Sequence, residues 1–203
     1  MKIICIGRNY SKHIKELNNQ PPAEPVFFLK PDTALVVRNR PFFYPDFSAD
    51  IQHEVEIVFR ICKVGKYIQE KFAHTYYNEI AVGLDMTARD LQQEAIKNGL
   101  PWEKTKSFDG SAPISSFLPL ETFPDIKSIN FSLKKNDTLV QTGNTAEMIF
   151  SIDKIIAHVS RFITLKMGDL IFTGTPSGVG PVKIGDRLTA YLEDRKMLTC
   201  NIR

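Results

Sequence analysis

The sequence predicts an α+β protein whose strands form a mixed β-roll or sandwiched β-core, with a few flanking helices. Two observations carry that prediction. Runs of period-two alternation outnumber helical patterns, and the two kinds follow no regular strand–helix–strand order. The chain has 203 residues, 43% hydrophobic and 24% charged. That is ordinary globular composition with enough apolar material for one sizeable core, so a single domain over residues 1–203 is expected. No internal repeat, low-complexity tract or linker interrupts it.

Lys2–Ile6 reads as a short buried strand ending at Gly7. Ser11–Leu17 suits a helical turn. Asn18-Asn19-Gln20-Pro21-Pro22-Ala23-Glu24-Pro25 resists regular structure, because its three prolines remove donors and fix φ. Such a loop inside a compact chain is often a lid. Val26–Leu29 is an apolar strand stopped by Pro31. Further strands are expected at Glu54–Cys62 and Glu79–Leu84. Helices are expected at Thr87–Asn98, closed by Gly99, and at Met148–Phe162, with Ile149, Ile152, Ile156 and Val159 on one stripe. Ile129–Lys135 and Thr138–Gln141 flank Asn136-Asp137, a hairpin turn. The tail alternates from Asp186 to Ile202.

Charge and cysteine content narrow the function classes. The net charge of +3 is weak and scattered, so no nucleic-acid stripe is expected. Cys5, Cys62 and Cys200 form no CxxC pair, which suits free thiols in a reducing cytoplasm. No apolar run approaches the roughly 20 residues of a membrane span. The strand-like N-terminus is not a signal peptide.

Glu54 and Glu56 sit one residue apart in an alternating run, and side chains at i and i+2 leave a strand on one face. Two anions aimed at one place need a cation or protons between them. With Asp85, at a strand-to-helix junction, they offer three hard oxygen ligands suited to Mg²⁺ or Mn²⁺. A solvated edge strand is the plainer alternative. His13 and Glu16 share a helical face, an imidazole–carboxylate arrangement for acid–base work or a surface pair. Lys106, among apolar residues, can neutralise a carboxylate or a developing enolate, or be an ordinary solvated lysine. Arg89 can reach the same place from the first helical turn, or pair with Asp85 or Asp90. Thr173-Gly174-Thr175-Pro176-Ser177-Gly178-Val179-Gly180 can aim N–H groups at an anion or make a tight turn. Strand alternation turns His53 away from Glu54, which argues against a metal role.

In order along the chain, these segments resemble the fumarylacetoacetate hydrolase family, in its short acylpyruvase and oxaloacetate decarboxylase branch. The resemblance runs from Gly7-Arg8-Asn9-Tyr10 through His13-x-x-Glu16, Phe28-Leu29-Lys30-Pro31, His53-Glu54-x-Glu56 and Leu84-Asp85-Met86-Thr87-Ala88-Arg89-Asp90. It continues through Gly99-Leu100-Pro101-Trp102, Lys106-Ser107-Phe108, Met148-Ile149-Phe150 and Gly168-Asp169-Leu170-Ile171, and closes with the Thr173–Gly180 loop. It implies the β-roll of that family's C-terminal domain, usually as a homodimer. It also implies Glu54, Glu56 and Asp85 as ligands of Mg²⁺ or Mn²⁺, and His13 and Glu16 as a water-activating dyad on a lid. Lys106 is implied as the active-site lysine, with Arg8, Arg89, Gln92 and Thr175 lining the pocket of a small 2-oxo acid. The implied reaction is C–C hydrolysis of acylpyruvates, with decarboxylation of oxaloacetate beside it. An isomerase or hydratase of related 2-oxo dicarboxylates, of the 2-hydroxyhepta-2,4-diene-1,7-dioate isomerase type, is an alternative; a non-catalytic keto-acid or metal-binding module is another. The lid sequence and Lys104-Thr105 depart from close relatives and bear on substrate choice.

Overall fold

A computed structural model describes residues 1–16 and 20–203. The predicted loop residues Asn18 and Asn19, and Leu17 at the end of the predicted turn, lie outside the described residues. In the first half of the chain the strands are β1 (Ile3–Gly7), β2 (Val26–Lys30), β3 (Leu35–Val36), β4 (Ile51–His53), β5 (Val55–Ile61), β6 (Tyr77–Leu84) and β7 (Thr87–Ala88). Then come β8 (Ala112–Pro113), β9 (Leu118–Pro119), β10 (Asn130–Lys135), β11 (Thr138–Asn144), β12 (Leu170–Phe172), β13 (Gly180–Pro181), β14 (Arg187–Leu192) and β15 (Arg195–Asn201). The α-helices are α1 (Ser11–Glu16), α2 (Glu70–Ala73), α3 (Arg89–Asn98), α4 (Glu103–Lys106) and α5 (Ile152–Val159).

The main sheet has six strands in the order β2-β1-β12-β5-β6-β9, with β1 and β12 parallel and its other pairs antiparallel. A four-stranded antiparallel sheet, β11-β10-β14-β15, packs beside it. Small sheets β13-β4-β7 and β3-β8 complete a mixed, strand-rich α+β fold. Val55, Ile57, Phe59 and Ile61 on one face of β5 join Phe131, Leu133, Leu188 and Ala190 of the second sheet in the larger core cluster. Val58 and Ala81 point the other way, into a smaller cluster with Ile3, Cys5 and Phe172. β5 is buried on both faces, which explains its nearly continuous apolar run. Among the described residues no helix is long and apolar enough to cross a membrane.

Several boundaries differ from the sequence reading. The predicted strand from Glu54 begins at Val55, and Glu54 lies in the break between β4 and β5. The helix predicted from Thr87 begins at Arg89, since Thr87 and Ala88 pair with Gln52 and Ile51 instead. Its C-terminal stop is as predicted: Gly99 sits at φ +62° and caps α3. The second predicted helix is shorter. Ser151 caps α5 through Lys154 N, while Met148 forms a bridge with Tyr10 and Ile149 and Phe150 lie in a bend. Ile149 N donates to Asn9 O and Phe150 N to Asn9 Oδ1, bonds that a local pattern cannot reveal. The Asn136-Asp137 turn has φ of 49° and 66°, the pair of positive angles a two-residue hairpin demands. Cys62 is only partly buried, unlike Cys5 and Cys200, and all three thiols are free.

Candidate active site

The C-terminal end of β6, the start of β5 and the loop after β12 meet at one cleft. Its walls include Arg8, His13, Phe28, Glu54, Glu56, Asp85, Arg89, Gln92, Ile96, Trp102, Lys106 and Thr175, around a narrow cavity of about 60 Å³ open at the mouth. All ten residues singled out from the sequence are either on this wall or, for Glu16, hydrogen-bonded to it.

Glu54, Glu56 and Asp85 are buried, with one carboxylate oxygen from each within 4.8 Å of the other two. The solvated-edge alternative therefore fails. Glu54 meets Glu56 although it lies just outside β5, because its carbonyl still accepts from Asp85 N at 2.8 Å and continues the ladder. Burial, then Asp85 and Glu54, push the Glu56 carboxyl well above the ordinary carboxylate range. Burial works the same way on Glu54, but Lys106 and Arg89 outweigh it and hold that carboxyl far below its usual value. Asp85 Oδ1 has no hydrogen-bond donor, although Lys30 Nζ lies 2.8 Å away off the bonding geometry. Three crowded hard oxygens fit a divalent metal.

Lys106 is 3% exposed, not solvated. Its ammonium donates to Glu54 Oε2 at 2.7 Å, Asp85 Oδ2 at 2.8 Å and Thr87 Oγ1 at 2.6 Å. Burial would lower its pKa, but Asp85 and Glu54 more than compensate and raise it, so it stays charged. Arg89 pairs with Glu54 rather than with Asp85 or Asp90, and also donates to Gln52 and to Gln92 Oε1. Its charge is thereby spent on holding Glu54 and Gln92 in place. Arg8, at φ +59°, makes no ion pair among the described residues. It is the cleft cation left to meet an anionic ligand.

His13 Nδ1 lies 3.1 Å from Glu16 Oε2, so its Nε2 is the nitrogen directed away from the dyad. Glu16 is fixed in turn by Gly178 N, 3.1 Å from Oε1. The Thr173–Gly180 loop thus touches three parts of the site. Gly174 N donates to Glu56 Oε2 at 2.8 Å, Thr175 lines the cleft, and Gly178 holds the dyad. Gly174 and Gly178 have φ of +99° and +98°, and a Cβ on Gly178 would collide with the Val140 carbonyl. The loop is therefore both a tight turn and a donor cradle, its donors aimed at protein carboxylates. His53 is buried, 2.9 Å from Gln141 Oε1, and burial lowers its pKa; it contributes no ligand atom to the triad.

Two buried polar residues escaped the sequence reading of the site. Lys30, 2% exposed, bonds to Ser111 Oγ and the Lys106 carbonyl beside its Asp85 contact. Gln141, 1% exposed, bridges the loop and the start of β5. A lysine ending an apolar strand before Pro31 was the one available hint for Lys30, and Gln141 left none.

The family model for the fumarylacetoacetate hydrolase C-terminal region matches residues 2–203. The mitochondrial oxaloacetate tautomerase of Mus musculus is 47% identical over 191 residues, 94% of this chain and 86% of that one. The mitochondrial oxaloacetate decarboxylase of Dictyostelium discoideum is 44% identical over 185 residues, 91% of this chain and 85% of that one. Among solved structures, the fumarylpyruvate hydrolase of Pseudomonas aeruginosa in complex with Mn²⁺ and pyruvate superposes with a TM-score of 0.94. It is 35% identical, and the match covers 100% of this chain and 89% of that one.

Proposed function

The chain belongs to the fumarylacetoacetate hydrolase family, and from that premise we propose a divalent-metal-dependent enzyme of short 2-oxo acids that works through an enolate. Tautomerisation of an oxaloacetate-type 2-oxo dicarboxylate is the reaction put first. The observation that carries it is the Lys106 ammonium, buried against two carboxylates of a crowded triad and facing a cleft where Arg8, among the described residues, makes no ion pair. The three relatives are named for different reactions, yet keto–enol exchange, loss of CO₂ and C–C hydrolysis of a 2-oxo acid all place negative charge on the same C2 oxygen.

Glu54, Glu56 and Asp85 would hold the metal, Mg²⁺ or Mn²⁺, which supplies Lewis acidity and a template for the 2-oxo carboxylate. Arg8 binds a substrate carboxylate. His13, its ring oriented by Glu16, takes a proton from C3; the C3–H electrons form the C2–C3 double bond, the C2=O π pair moves to O2, and the proton held on His13 is returned to O2, which regenerates the base. Lys106, its three N–H bonds taken by Glu54, Asp85 and Thr87, acts through its positive charge on the negative charge that builds on O2 between those proton transfers. Phe28 and Trp102, edge to face at 5.9 Å, wall the cleft against water.

C–C hydrolysis of acylpyruvates is the second reading, and the His13–Glu16 pair favours it, because the same base can draw a proton from water. The decisive assay follows the ultraviolet absorbance of the enol of oxaloacetate and product release from a panel of acylpyruvates. Metal-loaded protein that accelerates neither beyond metal alone would sink the proposal.

Glu56→Gln removes a charge with little change of shape. Its Mn²⁺ affinity is expected to fall at least about 10-fold, the lower bound for disturbing a metal site's surroundings; unchanged affinity by calorimetry would mean the metal lies elsewhere. We further propose one catalytic unit spanning residues 1–203 and, in solution, a two-fold homodimer, the commonest soluble assembly. Light scattering at micromolar concentration should give twice the chain mass of 23.1 kDa, and a monomeric mass contradicts it. Three free thiols are consistent with a reducing compartment such as the cytoplasm.

A further inference from the structure

β5 carries the site but has an incomplete edge. On one side it pairs with β6 along its whole length, Val55 opposite Leu84. On the other side its partner β12 reaches only as far as Val58, opposite Phe172. Successive residues of a strand turn their N–H and C=O groups to opposite edges. Glu54 O is spoken for on the β6 side by Asp85 N. The N–H and C=O of Val55 therefore point to the edge that β12 has already left. They are not wasted there. Val55 N donates to Gln141 Oε1 at 3.1 Å, and Val55 O accepts from Thr175 Oγ1 at 2.9 Å.

Gln141 closes the ring. Its Nε2 donates to Thr175 Oγ1 at 2.9 Å and to Pro176 O at 3.0 Å. The amide orientation follows from main-chain chemistry alone. Val55 N can only donate, so it must meet Oε1; Pro176 O can only accept, so it must meet Nε2. His53 Nδ1, 2.9 Å from the same Oε1, then carries a hydrogen. Every hydrogen-bonding position of this buried amide is used. It holds His53 and Val55, the two residues that flank Glu54. Val55 also separates Glu54 from Glu56, and Thr175 lies one residue after Gly174, the donor to Glu56.

We propose that Gln141 is a positioning residue, a side chain standing in for a missing strand, which sets the spacing of Glu54 and Glu56 and turns Thr175 toward the cleft. It is not on the cleft wall and contributes no ligand atom to the triad. It comes from β11, in the other large sheet, so it also fixes the active-site end of β5 to that sheet. The inference rests on the metal-binding reading of the triad given above.

Gln141→Met keeps the length and the apolar stem and loses all four bonds. The expected result is a folded protein, by circular dichroism, whose Mn²⁺ affinity in calorimetry drops about 10–100-fold, the range seen when groups supporting metal ligands are removed. KM should rise with it. Thr175→Val opens the ring at one link and leaves Gln141 bonded to β5; a smaller drop in the same direction is expected. A role in folding alone would lower the melting temperature of Gln141→Met and leave the Mn²⁺ affinity of the folded protein unchanged, which overturns the proposal. Should Gln141→Met not fold, parental Mn²⁺ affinity in Thr175→Val overturns it equally. A parent protein that binds no Mn²⁺ at all refutes the metal reading of the triad, and the role of Gln141 falls with it.

Discussion

Lys106→Met is expected to lower turnover of oxaloacetate-type substrates by about 10²–10³-fold, the scale for losing one group that stabilises developing negative charge. The loss should appear in tautomerisation, decarboxylation and acylpyruvate hydrolysis alike, since each passes through charge on O2. Stability should change too. Lys106 is the cation shared by Glu54 and Asp85, and taking one partner from a buried ion pair costs about 3–5 kcal/mol. The melting temperature of Lys106→Met should therefore drop in chelator and recover when Mn²⁺ neutralises the same carboxylates. A variant that keeps parental kcat would remove Lys106 from the chemistry and leave it a structural counter-ion.

His13→Ala is expected to slow reactions that need a proton taken from carbon or water by about 10²–10⁴-fold. Tautomerisation and acylpyruvate hydrolysis fall in that class. Decarboxylation needs chiefly a sink for electrons, so it should suffer far less, and the contrast separates the reactions on one protein. Glu16 acts through His13, which it holds at 3.1 Å. Removing both should cost little more than removing His13 alone, as for residues that work as a unit. Parental rates in His13→Ala would return His13 and Glu16 to a surface pair at the cleft mouth.

The Glu54 and Glu56 pair of the triad was legible in the sequence because strand periodicity is a local rule. It pointed Glu54 and Glu56 to one place, even though the strand itself starts one residue later. The His13–Glu16 pair was legible for the same reason on a helical turn. Lys106 was not. Taken alone it reads as a solvated lysine, and its burial comes from Asp85 and Glu54, distant in sequence. Arg89 was placed at the site, but its partner proved to be Glu54, since the first turn of α3 faces the break between β4 and β5. The helix predicted over Met148–Phe162 lost its first turn to the Asn9 side chain. Gln141 shows the limit most plainly. Its four bonds join three separate segments of the chain, and its position on an alternating hairpin strand advertises none of them. The reaction itself also shifted: the family resemblance put acylpyruvate hydrolysis first, whereas relatives named for oxaloacetate chemistry move enolisation to the front.

The central claim is that this cleft makes an enolate of a 2-oxo acid with the help of Lys106 and a divalent metal. Proton NMR in heavy water tests it most directly, by following the exchange of C3 hydrogens for deuterium in oxaloacetate and pyruvate. Mg²⁺-loaded protein should accelerate exchange well beyond Mg²⁺ alone, and the acceleration should vanish with chelator and in Lys106→Met. Exchange no faster than with Mg²⁺ alone, or equally fast without Lys106, would contradict it.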